Sequence, residues 1–150
     1  NQSVVHYWLG CALEALGDKL SARKHWRTAA DFTGDFQEMR VRAFSERTYY
    51  SALAWERLGK AAKARKLWRE LLAYGRQLEK TPARIDYFAT SLPTMLLFED
   101  DLQSRQTTAA LFLQAQARLG LRARTQGRAL LKTVLRRDPN HALAADLLEE

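Results

Sequence analysis

The sequence predicts an all-α protein made of repeated helix pairs, and three observations predict it. Seven glycines and three prolines in 150 residues are few for a β-protein with many turns. Ala, Leu, Arg, Lys, Glu and Gln, the residues that cost least in a helix, fill most of the chain. Aligning Gly17 with Gly59, a spacing of 42 residues, lays LEALGDKLSARKHWRTAA from Leu13 onto WERLGKAAKARKLWRELL from Trp55. A helix, a tight turn at Leu-Gly and a second helix are thus used twice, and such repetition governs the fold assignment.

The first pair is expected over about residues 3–32. In ARKHWR, residues 22–27, Ala22 and Trp26 stand four apart on one helical face with Ala29 and Ala30 beneath them, while Arg23, Lys24 and Arg27 face elsewhere. The mixture of cations and indole therefore reads as packing rather than base stacking. ARKLWR at 64–69 repeats the arrangement, with Trp68 in the core and Arg65, Lys66 and Arg69 outside.

Between the two copies, GDFQEMRVRAFSERTYYSALAWERLG is expected to run as one long helix from near Asp35, with Asp35 and Glu38 in the form of a capping box. The second pair, about 44–80, closes with a helix from Ala61 to about Glu79 that stops near Thr81-Pro82. An inserted helix follows over about 83–98, kinked or restarted at Pro93, with Leu92, Met95, Leu96 and Phe98 as core. Asp100 with Gln103 suits the N-terminus of a long helix reaching Leu119, the start of a third pair over about 101–138. The terminal HALAADLLEE, about 140–149, is expected to cap the array.

With the third copy, opened by Leu119-Gly120 and closed by Asp138-Pro139-Asn140, the chain resembles the tetratricopeptide repeat family. The resemblance places Gly10 and Ala52 at the small position of the first helix and Gly17, Gly59 and Gly120 at the turn. Ala22 and Ala64 take the small position of the second helix, Trp26 and Trp68 its large aromatic, and Ala29 and Leu71 the apolar residue after it. The third copy carries about two extra residues after its Leu-Gly, which puts Gly127 at the small position and Leu131 at the aromatic one. Spacings of 42 and 61 exceed the usual period of about 34, so an irregular superhelix with inserted helices is expected. The insert and the later DPNHALAADLL are also similar to the C-terminal repeat region of large bacterial proteins, in which a β-rich front half of carbohydrate association precedes the repeats.

Composition narrows function less than fold. The hydrophobic share of 47% and charged share of 27% fit one globular domain over residues 1–150. A net charge of +7 permits nucleic acid, acidic lipid or acidic protein as partner, but the cations are spread along the chain rather than gathered into a tail. The lone Cys11 excludes an intramolecular disulfide and fits a reducing compartment, so the cytoplasm is expected. No apolar run nears the roughly 20 residues of a membrane span, and no membrane association is expected. The chain opens at Asn1, directly ahead of helix-forming sequence, and is expected to be a piece of a longer protein whose upstream signal would lie outside it.

Catalytic signatures are missing: there is no G-x-S-x-G, P-loop, G-x-G-x-x-G or H-E-x-x-H. His6, His25 and His141 have no ligand spacing with one another or with Cys11, and Glu99, Asp100 and Asp101 read as helix capping. No enzyme activity, metal or cofactor is expected. The resemblance instead implies a concave groove lined by the first helix of each pair, presenting Tyr7, Cys11 and Glu14, then Tyr49, Leu53 and Glu56, then Gln114 and Arg118. The residues leave a second reading open, in which some of these tyrosines pack against the next repeat. The expected role is a protein-interaction or scaffold module that takes a peptide or a neighbouring domain in that groove. The alternatives are a non-catalytic accessory domain of a carbohydrate-active protein and, more weakly, nucleic-acid binding through the basic convex face.

Overall fold

A computed structural model describes residues 1–37, 40–83 and 102–149. It is 76% helical with seven helices among the described residues, which fixes the class as all-α. In order the elements are α1 (Ser3–Ala15), α2 (Lys19–Asp31), β1 (Asp35–Gln37), β2 (Arg40–Arg42), α3 (Thr48–Arg57), α4 (Ala61–Lys80), α5 (Leu102–Gly120), α6 (Arg124–Arg137) and α7 (Ala142–Glu149). Each helix packs on its successor, and the odd-numbered helices α1, α3 and α5 also lie side by side. The inserted helix expected over about 83–98 and the cluster Glu99–Asp101 fall outside the described residues, apart from Ala83 itself.

The turns inside the pairs share one geometry. Gly17 N–H donates to Glu14 and Asp18 N–H to Leu13 (2.9 Å), and Gly59 and Lys60 do the same toward Glu56 and Trp55. Both glycines are left-handed, with φ of +87° and +74°, as this helix stop requires. The third turn repeats the bonds two residues later than the sequence indicates: Arg122 N–H donates to Leu119 and Ala123 N–H to Arg118. Arg122, with φ +66°, occupies the left-handed position, and Gly120 remains in α5. The sequence expectation of a turn at Gly120 is thereby corrected.

What Gly120 does instead explains the shift. Trp68 is 1% exposed and lies on Gly120, where an added Cβ would come to 2.3 Å from the indole Cε2. The absent side chain makes room for the ring, so Gly120 is a packing residue. Trp26, 3% exposed, lies in the same way on Gly10 and donates from Nε1 to the Tyr7 carbonyl at 3.3 Å. Ala22, Ala64 and Gly127 hold the close crossings of α2, α4 and α6, and Leu131 is fully buried at the aromatic position.

The long helix expected from Asp35 does not form. Gly34 turns the chain at φ +68°, and the strands pair antiparallel with Asp35 opposite Arg42 and Phe36 opposite Val41. Asp35 is not a helix cap. Its carboxylate, 1% exposed, faces Arg47 at 3.6 Å. Burial pushes that carboxyl up, but the Ser45 hydrogen bond and Arg47 pull it below its ordinary value. Ser45 gathers the entrance of α3 instead: its N–H donates to Thr48 Oγ1 at 3.0 Å and its Oγ accepts from Arg47 N–H at 3.2 Å. These long-range contacts outweigh the local helix preference of the segment.

The last helix follows the expected form. Asp138 accepts from Asn140 N–H at 3.1 Å, His141 Nδ1 accepts from Ala144 N–H at 3.2 Å, and Ala144 and Leu147 bury against the preceding pair.

Candidate interaction surface

The shared turn geometry sets the correct register between the first helices. Counting back from Gly17, Gly59 and Arg122, Tyr7 corresponds to Tyr49 and Phe112, Cys11 to Leu53 and Gln116, and Glu14 to Glu56 and Leu119. The expected third-repeat residues Gln114 and Arg118 belong to other faces of α5. Gln114 is 8% exposed, turns toward α4 and donates to Glu79 at 2.7 Å, while Arg118 is half-buried and its carbonyl closes the turn.

The expectation of exposed tyrosines is also corrected. Tyr7 and Tyr49 are each 7% exposed. Tyr7 packs at 5.8 Å from the Tyr50 ring, and Tyr50 meets Tyr49 edge-on at 5.6 Å. These rings stack one first helix on the next, because a single helix pair cannot bury its own apolar face. The accessible residues of the expected set are Cys11, Leu53 and Glu56, which are half-buried, and Glu14, which is exposed.

Arg57 ties this surface together. It donates to Glu14 at 3.0 Å across the repeat boundary, and its guanidinium lies 5.5 Å from the centre of the Trp26 ring. Arg57 also hydrogen-bonds Tyr7, which raises its affinity for protons, with Cys11 and Glu14 adding to the same effect. On the other side of that bond, burial pushes the Tyr7 phenol up and Arg57 partly offsets it. One repeat further on, Arg122 donates to Glu56 at 3.1 Å. The two glutamates that would have given the groove a negative field are thus each paired with an arginine of the next repeat. Both pairs are solvated and contribute little stability.

Sequence spacing missed two further features. His6 and His25 come together from α1 and α2, with Nδ1 atoms 2.9 Å apart and rings stacked at 5.1 Å. Among the described residues no group of three or more His, Cys, Asp or Glu converges as a metal site would require. A cleft of about 480 Å3 opens between the end of α2, the hairpin, α3 and α4, lined by Phe32, Phe44, Trp55, Lys63 and Glu70 among others. Lys63 lies 4.2 Å from the Trp55 ring there. Arg23, Lys24, Arg27, Arg65, Lys66 and Arg69 are all exposed, as the periodicity of α2 and α4 requires.

The family model of the tetratricopeptide repeat matches residues 109–141, which cover most of α5, all of α6 and the turn after it. Tetratricopeptide repeats generally mediate protein–protein interaction or scaffolding, and the family is a non-catalytic interaction module. No solved structure matches the chain. Among the described residues no helix is long and apolar enough to cross a membrane.

Proposed function

We propose that the chain is a protein-interaction module that holds a peptide segment or a neighbouring domain along the face formed by α1, α3 and α5. The observation that carries this reading is the lateral alignment of those helices, cross-linked by Glu14 with Arg57 and Glu56 with Arg122. In this reading Tyr7, Tyr49 and Phe112 supply the rigid floor and bind through nothing of their own. Contact falls to Cys11 and Leu53 with the glutamate–arginine pairs, a surface of mixed polarity that suits a hydrogen-bonding ligand over a strongly acidic one. Peptide capture in such a groove needs no catalytic group. The exposed cations of α2 and α4 support only a weak, sequence-blind and salt-sensitive attraction to polyanions. An accessory place beside a carbohydrate-active domain is compatible with the same surface, the neighbouring domain then being the occupant.

The lone cysteine provides the test. A photocrosslinker carried on Cys11 should capture a partner from the source lysate, and Leu53→Glu should abolish that capture while circular dichroism stays unchanged. Equal capture by a crosslinker on the outer face, at Lys66→Cys in a Cys11→Ser background, would reject the groove.

A further inference from the structure

Cations that are spread along the sequence are gathered by the fold. The second helices α2, α4 and α6 hold 15 of the 24 Lys and Arg residues and 3 of the 17 Asp and Glu, so they more than account for the net charge of +7. Counted from Gly17, Gly59 and Arg122, the register that aligns Ala22 with Ala64 and Gly127 also brings Arg23 level with Arg65 and Arg128, and Arg27 level with Arg69 and Lys132. Two rows of cations, about one helical turn apart, thus run across the outer faces of the three helices. All six side chains are exposed, and none of them is ion-paired among the described residues. The first turns of α2, α4 and α6 contain no acidic residue; Lys19, Lys63 and Arg124 stand there instead, where the macrodipole disfavours a cation. Helix stability therefore does not explain the placement.

From these rows we infer that the outer face of α2, α4 and α6 binds double-stranded nucleic acid through its phosphates. The attraction that α2 and α4 supply separately becomes one continuous site once α6 is in line with them. The chemistry around the rows selects this occupant among polyanions. A bilayer surface is entered by exposed apolar side chains, and Leu20 is the only large one exposed on the three helices. Val5, Trp8, Leu9 and Leu16 are exposed on α1 and its end, and Phe36 and Val41 on the hairpin. A protein interface has an apolar centre inside its polar rim, which this face lacks. A single strand is held by aromatic side chains that stack on its bases, and no aromatic side chain of α2, α4 or α6 is exposed. What remains is a ligand recognised by charge alone, a phosphate backbone, to which arginine presents a paired donor fork. On α4 the rows lie in the first half of the helix, whereas Ala83 stands past its other end, where its N–H donates to Gln103 of α5 at 2.8 Å. The face is distinct from the α1, α3 and α5 groove, so its occupancy does not depend on the groove reading.

Short fluorescein-labelled duplexes of arbitrary sequence, one of DNA and one of RNA, serve as probes. With the intact protein titrated in and anisotropy followed, at least one duplex should bind saturably, whatever its base sequence, and more weakly as salt rises. Arg65→Glu with Arg69→Glu should weaken that binding at least about tenfold, and Arg128→Glu with Lys132→Glu should do the same. Arg76→Glu with Lys80→Glu makes an equal change of charge on α4 outside the rows and should weaken binding less than about threefold. All six side chains changed are exposed, so the three variants should retain the wild-type melting curve. Absence of saturable binding to both duplexes overturns the proposal. An equal loss in the variant at Arg76 and Lys80 also overturns it, by reducing the effect to net charge. So does tighter binding to phosphatidylserine vesicles or to polyglutamate at the same ionic strength, which would make a membrane or an acidic protein the occupant.

Discussion

Trp26 and Trp68 come from nearly identical hexapeptides and occupy equivalent places, yet they meet the next pair through different residues. Trp26 covers Gly10 of α1, donates to the Tyr7 carbonyl and meets the next pair through Arg57 of α3, which lies on its face. Trp68 joins one pair to the next, lying on Gly120 of α5 with no hydrogen-bond partner for its indole nitrogen among the described residues. The contrast shows that the motif fixes which way the ring points, while the position of the pair in the array fixes what it lands on.

The sharpest way to break this comparison is truncation of the joining ring. Trp68→Ala should destabilise by about 3–5 kcal/mol, with no hydrogen bond to compensate the lost burial, in denaturant titrations followed by circular dichroism. Trp26→Phe keeps most of the apolar area and should cost clearly less. A Trp68→Ala midpoint equal to wild type would show that the boundary between α4 and α5 does not depend on the ring.

Glycine-to-alanine changes test the same contacts from the other side. Within a helix this change ordinarily gains about 1 kcal/mol. At Gly120 and Gly10 the new Cβ would meet an indole at 2.3 and 2.4 Å, so Gly120→Ala and Gly10→Ala should instead lose on the order of 1–3 kcal/mol. The sign tests the packing contact, and a stabilised Gly120→Ala would show that the Trp68 ring does not lie against that glycine.

The connector between α2 and α3 adds a pH-dependent contribution. Asp35 has a folded-state pKa below its ordinary value, so its contribution is present above that ordinary value and is lost as pH falls through the folded one. Asp35→Asn should lower stability at neutral pH by on the order of 1–3 kcal/mol and flatten the loss of melting temperature below about pH 4. Melting curves of both proteins between neutral pH and acid would decide this, and parallel acid slopes would contradict it.

Smaller effects distinguish the turns. Gly17→Ala and Gly59→Ala should each cost about 1–2 kcal/mol because both are left-handed, whereas Arg122→Gly should gain up to about 1 kcal/mol by relieving the same cost. Weakest of all, Glu14→Gln should change stability by no more than about 1 kcal/mol, since the pair with Arg57 is exposed.

Helix pairs, their stops at Gly17 and Gly59 and the burial of both tryptophans were legible in the sequence. Each depends on side-chain periodicity or on backbone freedom within a few residues, and such local preferences are written directly in residue type. The hairpin at Asp35, the closing of α1 on α3 through Arg57 and Glu14 and the meeting of His6 with His25 were not legible, and the sequence left open whether Tyr7 and Tyr49 face the groove or pack against the next repeat. The side-chain pairs join residues 19 and 43 positions apart, the hairpin is held through Asp35 by Arg47 12 positions on, and burial depends on which neighbour covers a face. Gly120 shows the boundary between the two kinds of information. By residue type it is a turn glycine like Gly17. Only the placement of Trp68 against α5 turns it into a packing glycine and passes the left-handed position to Arg122, because a ring of that size needs a surface without a side chain. Sequence determined the periodic faces of this protein, and tertiary packing decided which of those faces are used up in holding the array together and which, on α1, remain open.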